Sequence, residues 1–184
     1  PFICIQPEKY IILETIIENI KKTPVIYVGE RHDLYEDHKV QLDVIRTLHE
    51  ENPNLAIGVE MFTQSKQQAL DDYLSGTINE KEFLKASDYF KDWKFNYHLY
   101  REILCFAKEK QIPVIALNLK RELIKKVARN GLDNLTANEK KKIPEDMDMS
   151  DRKYKKRLQE TFSHHDKAQG IKFENFYQSQ ILWD

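Results

Sequence analysis

VIYVGERHDLYEDH, residues Val25 to His38, sets two histidines and four acids directly behind a short apolar run. Its first half is β-branched and apolar on successive residues, the pattern of a parallel strand covered on both faces. Two further runs repeat that pattern: LAIGVEM (Leu55 to Met61) and IPVIALN (Ile112 to Asn118). All three, counting the first as PVIYVG from Pro24 to Gly29, are bounded by Pro, Gly or Asn.

Helical patterns separate them. From about Glu36 to Glu51, Val40, Val44, Ile45 and Leu48 recur at helical spacing, and Asn52-Pro53 ends the run. Leu99, Ile103, Phe106 and Ala107 make a similar face before the third run. Strand-helix alternation of this kind predicts an α/β fold, a parallel sheet with flanking helices joined by right-handed crossovers. The long second crossover predicts extra helices over about 63–95, with a capping box at Ser65–Gln68, a stop at Gly76 and another helix start at Asn79 and Glu82. After the third strand, Arg121 to Asn130 reads as a helix stopped by Gly131, and Thr136–Glu139 as another capping box.

The domain reading is an α/β core over 1–130, a small α-helical subdomain over 131–175, and a return to the core starting at 176–184. Three strands make a thin sheet, so further strands are expected from FICI at the start or beyond QILWD at the end.

Bulk properties narrow the class. The 184 residues carry 29 basic and 30 acidic side chains, a formal charge of -1, which argues against nucleic acid as a partner. No run approaches the roughly 20 consecutive apolar residues of a membrane span. Cys4 and Cys105 are too few for a disulfide framework or zinc knuckle, Cys105 reads as a small core residue, and PFIC is a poor lipidation site. The chain opens on Pro1, so a segment upstream of it is expected to have been removed.

Open α/β folds bind ligands beyond the carboxyl ends of their strands. Glu30 and His32 follow the first run, Glu60 ends the second and Asn118 the third, with His38 at the start of the next helix. A histidine and two carboxylates in one cleft suit general acid/base work, one carboxylate orienting the imidazole. The same atoms suit zinc, though the His32–His38 spacing is not a tight ligand spacing. The plain structural alternative has Glu30 capping a loop, His32 bonded to backbone and Glu60 paired with Arg31.

In order along the chain, VGERHD with His38, IGVEMF, ALDDYLSG, KFNYHLYREIL, IPVIALNLKREL and the closing AQ and LWD resemble the motif series of the ChaN-type haem-binding uptake lipoproteins. Those proteins share a superfamily with the Tiki and TraB proteins and the erythromycin esterases. Tyr97 stands where that family usually has tryptophan, and Glu102 and Lys120 stand where it usually has proline.

The resemblance implies a protein of bacterial iron and haem uptake. It implies haem as cofactor, held through a tyrosine with lysine and histidine near the propionates, in a homodimer promoted by haem. It also implies a lipoprotein of the cell envelope, on the outer membrane of a Gram-negative bacterium and facing the periplasm, with an outer-membrane haem receptor as partner. A phenolate is a hard anionic ligand suited to ferric iron.

Two tyrosines compete for that role. Tyr100 lies in LYREIL, in the first turn of a helix leading into a strand. Tyr154 lies among Lys153, Lys155 and Lys156, ten positions before His164-His165, a neighbourhood that favours it slightly. For Tyr100 the competing reading is a core tyrosine; for the lysine run and the histidine pair it is a solvated helix face. The resemblance also leaves a hydrolase open, an esterase or metal-dependent peptidase with His32 and Glu60 at the positions implicated in activating water. Glu30 and His38 would complete that centre. A third possibility is a scaffold that only contacts a receptor.

Overall fold

The structure is a computed structural model and describes residues 13–163 and 170–183. Cys4, FICI, His164 and His165, singled out above, lie outside the described residues. The fold is α/β: helices accompany a small parallel sheet of two strands, β1 (Ile57–Thr63) and β2 (Val114–Asn118). By its internal contacts the chain forms two compact units, residues 1–58 with 69–115 and residues 59–68 with 116–184. The boundary crosses each strand, after Gly58 and after Ile115.

In the first unit, α1 (Leu13–Ile20) and α2 (Tyr35–Glu51) pack together, and α2 packs on α6 (His98–Lys110). Lys21 fixes the first pair with one ammonium shared between Glu18 at 2.7 Å and Glu51 at 2.9 Å. The long connection out of β1 is helical, as its capping signals predict. Asn79 and Glu82 form the reciprocal capping box that starts α4 (Glu80–Ala86), and Gly76 takes φ 81 after α3 (Gln67–Leu74). The box expected at Ser65 does not form. Its hydroxyl lies 3.0 Å from Thr63 Oγ1, and a 3-10 turn over Gln64–Lys66 precedes α3. Leu70, Phe83, Tyr89, Leu104 and Ala107 are fully buried in this unit, with the Tyr73 and Phe83 rings stacked at 4.6 Å.

The second unit is built on α7 (Arg121–Asn130) and α10 (Phe173–Ile181), which pack closely. Leu119, Leu123, Ile124, Val127, Leu135 and Leu182 form its core. Gly131 ends α7 at φ 81 and ψ 167, as expected of the stop signal. Beyond it the Thr136–Glu139 capping box opens α8 (Ala137–Lys140). Glu139 also takes Lys126 Nζ at 2.6 Å, which ties that cap to α7.

One predicted strand is absent. Residues 24–29 make no backbone hydrogen bond with any described residue, and Val25 and Tyr27 are 60% and 90% exposed. A strand exists only where a neighbour completes its ladder. Here the Gln41 side chain tethers this stretch, donating to the Val28 carbonyl at 3.0 Å. The apolar run therefore delivers Glu30 and His32 from an irregular segment pinned to α2. Among the described residues no helix is long and apolar enough to cross a membrane.

Candidate functional site

The densest ionisable centre of the first unit gathers around Glu30. Its side chain is only 5% exposed, and a buried polar group is costly unless it is bonded, so its partners matter. His32 Nδ1 lies 2.6 Å from Oε1, and the Tyr100 hydroxyl donates to the same oxygen at 3.2 Å. On the other side, His38 Nε2 is 3.8 Å from Oε2. Of the residues grouped from the sequence, Glu30, His32, His38 and Glu60, the first three meet here. Tyr100, from the first turn of α6, joins them.

Each residue is placed by a local device. The loop before α2 is clamped by Asp37, whose carboxylate accepts from the Arg31 backbone N–H at 3.0 Å and from its guanidinium at 3.0 and 3.2 Å. That guanidinium bond, then the backbone one, holds the Asp37 carboxyl below its ordinary range. Arg31 thus serves Asp37, where the plain structural reading had paired it with Glu60. His38 is buried in the first turn of α2 with both ring nitrogens facing oxygens, Gln41 Oε1 and the His32 carbonyl, each at 3.3 Å.

An aromatic wall, missed in the sequence, surrounds this centre. The His32 ring sits 4.8 Å from Trp93 and 4.6 Å from Phe95, and the His38 ring 4.5 Å from Tyr100. The signal was present as the run YFKDWKFNYHLY, Tyr89 to Tyr100, too rich in rings for an ordinary helix face. Burial pushes the phenols of Tyr89 and Tyr97 well above the usual range, so both stay neutral packing groups. Among the described residues, Glu30 Oε2 and the Trp93 indole N–H are buried without a hydrogen-bond partner.

With Nδ1 engaged by Glu30, His32 keeps Nε2 for other chemistry, and its side chain is 37% exposed. That arrangement can take a proton or hold a cation, since imidazole and carboxylate are also zinc's ligand types. Glu60 belongs to β1 in the second unit, where its backbone carbonyl accepts from the Asn118 side-chain amide.

The second unit holds the other candidates. Tyr154 is half-buried on α9 (Arg152–Ser163), whose stripe of Tyr154, Leu158 and Phe162 is half-buried beside α10. Asp151 caps this helix, accepting from the backbone N–H groups of Lys153 at 2.8 Å and Tyr154 at 2.9 Å. Lys156 and Lys153 are exposed, whereas Lys155 pairs with Glu174 at 2.7 Å and lies over the Tyr177 ring. A part-exposed phenol with the Arg157 guanidinium carbon 5.1 Å from its ring centre is a residue type that fits ferric iron. Tyr100, 2% exposed and bonded to Glu30, fits a packing role better.

Comparisons with known proteins agree in direction. A sequence model of the family described as haem-binding uptake, Tiki superfamily, ChaN, matches residues 16–184. The solved structure of ChaN of Campylobacter jejuni, described by its cofacial haem binding, is similar with a TM-score of 0.70 at 19% identity. That similarity covers 95% of this chain and 68% of the other, and at this identity it speaks for the fold. No curated protein matches the chain in sequence.

Proposed function

The chain belongs to the ChaN family of haem-binding uptake proteins in the Tiki superfamily, and from that premise we propose that it binds ferric haem through the phenolate of Tyr154. The observation carrying the choice of residue is the contrast between two tyrosines. Tyr154 is half-buried with the Arg157 guanidinium carbon 5.1 Å from its ring centre, while Tyr100 is buried against a carboxylate. A part-exposed phenol beside a cation suits a ligand role, and one buried against a carboxylate suits packing. Lys156 then serves the propionates as a point charge, and His164 and His165 belong to the same proposal from sequence alone.

Completion of the pocket by a haem-promoted homodimer, attachment to an outer membrane and exchange of haem with a receptor there extend this reading. They rest on the resemblance of the motifs. Titrating hemin into the purified protein tests the core of it: a saturable, shifted Soret band is expected, and its absence at micromolar protein removes the reading.

A second reading is favoured by one distance. The 2.6 Å contact between Glu30 and His32 orients a part-exposed imidazole, as a general base requires. Hydrolysis of an ester or peptide at this centre predicts turnover that His32→Ala abolishes while hemin binding survives.

A further inference from the structure

The half-exposed ring of Tyr154 is held on two sides inside its own unit. Tyr177, fully buried and donating its hydroxyl to the Met149 carbonyl at 3.1 Å, presents its ring 6.3 Å away. Arg157, three residues on and therefore on the same helix face, sets its guanidinium carbon 5.1 Å from the centre of the Tyr154 ring. The neighbouring cations are disposed differently. Lys155 spends its charge on Glu174 and on the Tyr177 ring. Lys153 and Lys156, one and two positions from Tyr154, do not share its face. Among the described residues no carboxylate lies within ion-pair distance of Arg157, so its charge acts on the aromatic ring it covers.

A guanidinium over a phenol ring fixes the ring's orientation through the attraction between a cation and the ring's negative face. Arginine suits the role, being planar, weakly hydrated and always charged.

We propose that Arg157 is a positioning residue for Tyr154, holding its ring in one orientation, and that it thereby gives the site a preference for ferric porphyrin over metal-free porphyrin. The proposal rests on Tyr154 being the iron ligand. In the coordination step the phenol O–H bond breaks, its proton passes to water and an oxygen–iron bond forms. The iron stays ferric and no electron moves.

The test compares wild type, Arg157→Gln and Tyr154→Phe, each titrated with hemin and with metal-free protoporphyrin IX, which presents the same propionates but no iron. Arg157→Gln is expected to weaken hemin binding about 2- to 5-fold, the scale of one exposed cation–ring contact, and to leave metal-free porphyrin binding unchanged. Equal weakening of both ligands would assign Arg157 to the propionates and overturn the proposal. So would unchanged hemin binding in Arg157→Gln when Tyr154→Phe has lost the wild-type spectrum. Should Tyr154→Phe keep the wild-type affinity and Soret band, the ligand assignment itself fails and this inference goes with it. Both side chains lie outside the buried core, and far-UV circular dichroism checks that each variant folds.

Discussion

Glu30 Oε1 lies 2.6 Å from Nδ1 of His32, so a carboxylate that is almost wholly buried ends on an imidazole that still reaches water. The same oxygen accepts from Tyr100, and removing the carboxylate therefore takes an acceptor from a buried hydroxyl. Glu30→Ala is expected to cost about 1–3 kcal/mol of unfolding free energy, the range for leaving a buried polar group unsatisfied. Urea denaturation measures it. A Glu30→Ala variant as stable as wild type would mean that Tyr100 finds another acceptor.

Gly131 stops α7 in a backbone region open essentially to glycine, φ 81 and ψ 167. A Cβ there would also stand 2.9 Å from Asn175 Oδ1, whose amide nitrogen donates to the Arg129 carbonyl at 3.0 Å. Gly131→Ala is expected to destabilise by about 1–3 kcal/mol through backbone strain. A change near zero in the urea midpoint would contradict this geometry.

Much of this was legible in the sequence for local reasons. The helix Arg121–Asn130 and its stop at Gly131, the helix start at Asn79 and the capping box at Thr136 depend on a few adjacent residues, and all formed. The strand expected at 24–29 failed because pairing is non-local: β-branched residues advertise a strand but do not supply its neighbour. The site divides the same way. Glu30, His32 and His38 share one loop and helix start, so their meeting could be read. Tyr100 reaches Glu30 from seventy positions away, and Trp93 and Phe95 reach His32 from about sixty, contacts that only the fold creates.

Acid should loosen the second unit through Glu139. Its bond to Lys126, followed by those to the Thr136 N–H and hydroxyl, holds its carboxyl down to about 2 from 4.5. A carboxyl lowered in the folded state stabilises the fold above its unfolded value and loses that contribution as pH falls towards the folded one. The stabilising effect is thus complete above about pH 4.5 and fades toward about pH 2. Comparing urea midpoints of wild type and Glu139→Gln should show wild type ahead at neutral pH and the gap closing through that window. A gap that stays constant would rule out this linkage.

Hemin titration of Tyr154→Phe beside Tyr100→Phe decides which of the two tyrosines ligates ferric haem. A saturable, shifted Soret band is expected in wild type and Tyr100→Phe and is expected to be lost in Tyr154→Phe. A band kept in Tyr154→Phe and lost in folded Tyr100→Phe would contradict the choice of Tyr154.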